Sequence, residues 1–184
     1  MNKPKSRRAV LAAVGGGLIA TVAPLPATST HGRTRLWHHD LACWFEGFIP
    51  DVRQALTDVH SIWGNTAWLQ LDYEDLRQIA HSGHSHPAKL LRAGCSLASE
   101  NLVAAFEHAF CQATRQSVAI ALKKVTGVLI VVTVHPESLD VQPLRHLIRG
   151  VQRHLSKEAL LAYSVVDDER MPIESQRVSV VIAS

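Results

Sequence analysis

Gly127-Val128-Leu129-Ile130-Val131-Val132-Thr133-Val134 is the stretch on which the fold turns. Residues Val128–Val134 are mostly β-branched, and no charge interrupts them. A strand with one wet face alternates between apolar and polar residues. This one does not, so it is predicted to be buried on both faces or central in its sheet.

Working downstream, Asp140 is placed to cap a helix, with Pro143 still in its first turn. Leu144, Leu147, Ile148, Val151 and Leu155 then recur at helical spacing and predict its buried stripe. Leu160–Val166 and Arg177–Ala183 predict two further strands. The polar turn Asp167–Glu174 between them predicts an antiparallel hairpin.

Upstream, Ser99 is expected to cap a helix whose apolar face is Leu102, Val103, Phe106, Ala109, Phe110 and Ala113. Leu90–Leu97 reads as a strand, and His81–Pro87 as a breaker. Leu69–Ala80 reads as a short loop entering a helix, with Asp72 at the N-cap and Asp75 in the first turn, where carboxylates are favoured. Val52, Leu56, Val59 and Ile62 mark a helix over Pro50–Ile62, stopped by Trp63-Gly64-Asn65. Residues 50–184 are therefore expected to form one α/β domain, a two-layer sandwich of a mixed sheet with helices packed on it.

Composition supports that reading. The 184 residues are 47% hydrophobic and 19% charged, enough for a core and too apolar for wholesale disorder. Lys3, Lys5, Arg7 and Arg8 account for four of the 19 basic residues. The remaining 15 face 16 acidic ones, so the body is near neutral and a nucleic-acid role has little electrostatic support. Cys43, Cys95 and Cys111 form no CxxC pair, which points to free thiols. Trp37, Trp44, Trp63 and Trp68 set residues 37–68 apart as a binding surface or as packing.

Residues 1–49 admit two readings, a targeting segment or a phosphate-loop remnant. A basic start, the apolar run Ala9–Ala23 and Pro24-Leu25-Pro26-Ala27 stand in the order of a secretory signal. Ser6-Arg7-Arg8-Ala9-Val10-Leu11 looks like a twin-arginine export motif. The run is short and glycine-bearing, so stable membrane insertion is not expected.

Gly127–Thr133, the Leu144–Leu155 helix, Ser164-Val165-Val166-Asp167 and Arg177-Val178-Ser179-Val180-Val181-Ile182-Ala183 stand in one order. Together they resemble the C-terminal domain of the FtsZ/tubulin family, with its G-V-L-x-x-I-T strand, helix, G-x-V-x-D strand and closing R-V-T-V-I-A-T strand. Gly94-Cys95-Ser96-Leu97-Ala98-Ser99-Glu100-Asn101 resembles the family's G-x-G-x-A-x-G-E-N segment. Within this resemblance, Gln70-Leu71-Asp72-Tyr73-Glu74-Asp75-Leu76 matches the family's synergy loop, N-x-D-x-x-D, with Gln70 for Asn and an added Glu74. In the family that loop enters the nucleotide site of the next subunit and polarises water for attack on the γ-phosphate. The resemblance implies that chemistry for Asp72 and Asp75, acting in trans. The bland alternative is that both simply cap a helix.

Gly15-Gly16-Gly17-Leu18-Ile19-Ala20-Thr21-Val22-Ala23-Pro24 has the length and the ends of the family's G-G-G-T-G-T-G-A-A-P phosphate loop, and Phe45-Glu46-Gly47 matches its F-E-G. Ile19 and Thr21 replace later glycines, so side chains would crowd the phosphates. Gly15, Gly16 and Gly17 are thus candidates for a degenerate cofactor-binding loop, and no GTP is expected except through a partner subunit. The resemblance implies an FtsZ-like interaction module that associates with or caps FtsZ filaments in cell division. It would act in the cytoplasm and show no autonomous GTPase activity. The alternatives are a component that completes a partner's GTPase site in trans, or an exported domain. Because the chain ends at its closing strand, recruitment by the anchors that bind the family's terminal peptide is not expected.

Two weaker patterns remain. His81, His84 and His86 have metal-ligand spacing, but no nearby carboxylate or thiol completes a site, so no metal is expected. Arg145, Arg149 and Arg153 recur every four residues, either as a solvated face or as a grip for an acidic partner.

Overall fold

The computed structural model describes residues 7–8, 12–13, 50–63, 67–81, 91–98, 101–138 and 140–184. In chain order the elements are β1 (Arg7–Arg8), β2 (Ala12–Ala13), α1 (Pro50–Ser61), β3 (Ala67–Gln70), α2 (Tyr73–Ala80), β4 (Arg92–Ala98), α3 (Leu102–Thr114), α4 (Val118–Ala121), β5 (Gly127–Val134), α5 (Val141–His154), β6 (Leu160–Asp167) and β7 (Gln176–Ala183). The main sheet runs β3-β6-β5-β7-β4. Every residue of β5 is buried. It pairs in parallel with β6 on one edge and antiparallel with β7 on the other.

That central position removes the expected hairpin. β6 and β7 flank β5 and do not pair with each other. A two-sided apolar strand needs a partner on each edge. The α5 crossover delivers β6 to one edge in the parallel sense. The connection 168–175 is long enough to step over β5 and deliver β7 to the other. β3, whose Leu69 and Gln70 the sequence reading placed in a loop, pairs antiparallel with β6 through an irregular register. The two short N-terminal strands extend this side: Arg7–Arg8 lies parallel to Leu69–Gln70, and Ala12–Ala13 lies against Leu160–Leu161.

The mixed α/β sheet with helices packed on it is as expected, but helices cover both of its faces, so there are three layers and not two, because β5 is apolar on both sides and each side needs a cover. Val128, Ile130, Val132 and Val134 face α3, α4 and α5 across one core. Leu129 and Val131 face α1 and α2 across another, with Ala55, Val59, Ile62, Leu76 and Ile79. Each fully buried aliphatic side chain of this kind stabilises by about 1.5–3 kcal/mol.

The helix starts are local chemistry. Asp140 Oδ1 accepts from Gln142 N–H at 2.9 Å, as expected. The cap of α3 is Asn101, two positions beyond the predicted Ser99, and its Oδ1 accepts from Val103 and Ala104 N–H at 3.0 and 3.1 Å. The helix then crosses β4 at Gly94, where a Cβ would lie 1.9 Å from the Ala109 carbonyl oxygen.

A polar cluster crosses the α1 face of the sheet. Asp58, 1% exposed, accepts from Arg177 Nε at 2.9 Å and Nη2 at 2.7 Å, and from the Ser179 hydroxyl at 2.6 Å. Gln54 Nε2 adds a bond at 3.1 Å. Hydrogen bonding to Asp58 raises the Arg177 pKa, and burial opposes that shift. This cluster pins α1 to β7.

Candidate functional site: the Asp72 loop

β3 ends at Gln70 and α2 begins at Tyr73, so Leu71 and Asp72 form the corner between them. Apolar anchors hold the corner on both sides: Leu71 is buried, as are Leu76, Ile79 and Ala80 on α2. The Ser164 hydroxyl donates to the Leu69 carbonyl and ties β3 to β6 just before the turn. Tyr73 packs against Trp63 at the end of α1, with ring centroids 6.3 Å apart.

The two sequence-predicted carboxylates come together in a capping box. Asp72 Oδ1 accepts from Glu74 N–H at 3.1 Å, and its side chain also caps the Asp75 amide. Asp75 Oδ2 in return accepts from Asp72 N–H at 2.8 Å. The helical end attracts negative charge, so the carboxylates are fixed where the backbone favours them. Asp72 is exposed and Asp75 half-buried. A carboxylate accepts up to about four hydrogen bonds. Capping the helix and orienting a water or hydrated cation presented from outside are therefore compatible demands on the same groups.

Glu74, the extra acid in the motif, does not stand alone: Arg77 Nη1 lies 3.4 Å from its Oε2. Both side chains are 55% exposed, so the pair adds little stability but moderates the local negative charge. The i, i+3 spacing is the sequence signal that would have found it. The backbone of Arg7–Arg8 runs beside Leu69–Gln70, at the entry to the same corner.

Gly15, Gly16 and Gly17 lie outside the described residues, as do His84 and His86. Among the described residues no group of three His, Cys, Asp or Glu side chains is arranged to hold a metal, and no helix is long and apolar enough to cross a membrane.

The capping geometry makes a prediction that separates structure from chemistry. Asp72→Ala should lose about 1 kcal/mol of stability, seen as a Tm lower by about 2–4 °C, because the cap is removed. Asp72→Asn should keep the native Tm, since asparagine caps equally well. Equal losses in both variants, measured by calorimetry, would mean that charge and not capping holds the corner.

The fold is FtsZ/tubulin-like. An empty FtsZ dimer from M. jannaschii matches with a TM-score of 0.53 and 20% identity, covering 71% of this chain and 36% of that one. A tryptophan-to-tyrosine variant of M. jannaschii FtsZ matches with a TM-score of 0.51 and 17% identity, covering 87% and 42%. TubZ in GDP-form protofilaments, from Bacillus thuringiensis serovar israelensis, gives 0.41 at 14% identity over 71% and 35%, and adds no weight to the comparison. No protein-family model and no curated protein matches the chain. The likeness is one of fold, and the chain spans about two-fifths of the length of the FtsZ structures it matches.

Proposed function

We propose that this chain is an FtsZ-like interaction module that docks on an FtsZ filament through the Asp72 loop and caps it, and that it is not a GTPase by itself. One observation carries the reading. A rigid acidic corner, matching the family's synergy loop, is presented by a domain of FtsZ-like fold. In the proposed complex Asp72 and Asp75 face the nucleotide of a terminal FtsZ subunit, so GTP is met only through that partner. With Gly15–Gly17 as a degenerate phosphate loop, the chain offers the next subunit no working nucleotide site. Growth stops there. The proposed place of action is the cytoplasm, where filaments of that kind assemble.

The Glu74–Arg77 pair favours a second reading on the same surface, completion of the partner's GTPase site in trans. An unbalanced third acid would repel a triphosphate, and a neighbouring guanidinium reduces that cost. The two readings predict different outcomes when the chain is mixed with FtsZ and GTP. Capping shortens filaments at sub-stoichiometric addition in electron micrographs, and phosphate release falls with them. Completion shortens filaments while hydrolysis per contact is kept. In the second case an Asp72→Asn/Asp75→Asn variant, which retains the caps, should lose the hydrolysis by about 100-fold or more, the usual scale for proton-transfer groups. Filaments of unchanged length at equimolar protein would sink both.

A further inference from the structure

The arginine stripe of α5 is not used by the Asp72 loop. Arg145, Arg149 and Arg153 are all exposed, and none has an ion-pair partner among the described residues. Between α3, α4 and α5 lies an apolar groove of about 170 Å³ lined by Val103, Phe106, Leu122, Leu147, Gly150 and Val151, and of the three arginines Arg149 and Arg153 are the chain neighbours of its Gly150 and His154. His146 and His154 edge it on the α5 side, and Glu107 edges it on the α3 side. Gly150 leaves the groove open: a Cβ placed there would meet nothing within 4 Å. The volume would hold several waters or one aliphatic side chain.

The complementary shape sits elsewhere on the same chain. The turn between β6 and β7 thrusts out Ile173, 53% exposed, with Glu174 beside it and Glu169 and Arg170 close by, all exposed. The turn is held in place from beneath. Met171 is buried and meets Arg177 Nη1 at 3.1 Å through its sulfur, and Asp168 Oδ1 accepts from Arg170 N–H at 3.0 Å. Ser175 N–H closes the turn on the Pro172 carbonyl at 2.9 Å. An apolar knob already fixed in this way loses little conformational freedom on docking.

We infer that the α5 groove of one copy receives the Ile173 turn of a second copy. Ile173 fills the space above Gly150. Glu169 and Glu174 face Arg149 and Arg153, and Arg170 faces Glu107. Each of these six charged groups lacks an ion-pair partner among the described residues, so docking satisfies them without breaking existing pairs. One molecule cannot satisfy itself. The C-terminal half of α5 leads back to the start of β6, and the turn comes after the end of β6, a strand length of roughly 25 Å away. The contact is therefore intermolecular and requires a second copy. It uses a surface separate from the Asp72 loop.

Analytical ultracentrifugation of the full chain alone, across roughly 10–500 μM, tests this, since a single knob with a charged rim belongs with weak, transient contacts. The weight-average mass should rise with concentration, and the rise should shrink as salt increases. Ile173→Glu and Gly150→Leu should each weaken association at least about 10-fold, the second without lowering the Tm. Reversing charges on one side only, Arg149→Glu/Arg153→Glu or Glu169→Arg/Glu174→Arg, should weaken it similarly. Combining both reversals should restore affinity to within about threefold of the wild type, because the pairs are rebuilt with opposite sense. Asp72→Asn/Asp75→Asn should change nothing. A monomer at every concentration, association indifferent to Ile173→Glu and Gly150→Leu, or no recovery on combining the reversals would overturn the inference.

Discussion

Asp58→Ala should lower the stability of the domain by about 3–5 kcal/mol, the usual cost of breaking a buried ion pair by removing one partner. Two losses combine. Arg177, whose side chain is 17% exposed, keeps its charge in a half-dry site without its main acceptor, and the fully buried Ser179 hydroxyl loses its partner. Asp168, 3.9 Å from Arg177, is too distant to replace it. Urea unfolding should show a lower midpoint with an unchanged slope, since the fold is retained. The double variant Asp58→Ala/Arg177→Leu should recover part of the loss, because the orphaned charge is then gone. The raised pKa of Arg177 fixes the sign of the pH effect: the stabilisation is fully present below the ordinary guanidinium value and is lost only as pH rises beyond it. Between about pH 5 and 9 the effect of Asp58→Ala should be flat as far as Arg177 is concerned. A loss below about 1 kcal/mol would mean that the pair is not formed in solution.

Gly94→Ala should cost on the order of 3 kcal/mol, although it adds a single methyl group. The new carbon would sit 1.9 Å from the Ala109 oxygen, 2.9 Å from the Ala109 carbonyl carbon and 3.1 Å from the Ala113 nitrogen. These are backbone atoms of α3, so no side chain can swing aside. The helix must lift from β4, and Phe106 and Phe110 lose their seat in the core. Circular dichroism on heating should show a markedly lower Tm, while Gly150→Ala on α5, where space is open, should be neutral or mildly stabilising. A native-like Tm for Gly94→Ala would show that α3 does not approach β4 this closely.

Much of this fold was legible because the deciding signals are local. The β-branched run of β5, the stripe of α5 and the Asp140 and Asp72 caps each depend on a few neighbouring residues. What was not legible depends on distant ones. β3 is four residues, Ala-Trp-Leu-Gln, with no alternation, and only its partner β6 makes it a strand. The hairpin expectation failed because a polar connection shows that two strands are joined, not that they are neighbours. The Asp58 cluster does leave a trace in the sequence. Ala55, Asp58, Val59 and Ile62 fall at i, i+3, i+4 and i+7, so the acid sits inside the apolar stripe of α1 and had to find a buried partner. For the candidate site, the capping role of Asp72 and Asp75 could be read from spacing alone. The Glu74–Arg77 pair was open to an i, i+3 reading, whereas the Ser164 tie and the Trp63–Tyr73 contact join residues whose proximity only the fold reveals.

The order of the sheet also bears on synthesis. β7 is the last strand in the sequence, yet it lies between β5 and β4. Until residues 176–183 leave the ribosome, β4 has no strand to pair with and one flank of β5 stays open. The nascent chain thus carries a bare Val- and Ile-rich edge of the sort that recruits other chains into aggregates. Asp58 likewise waits for Arg177 and Ser179, 119 and 121 positions further on. Productive folding is expected to wait for residues 176–183 and to be slowed by these long loop closures, with a holdase chaperone as the natural guardian of the unfinished sheet.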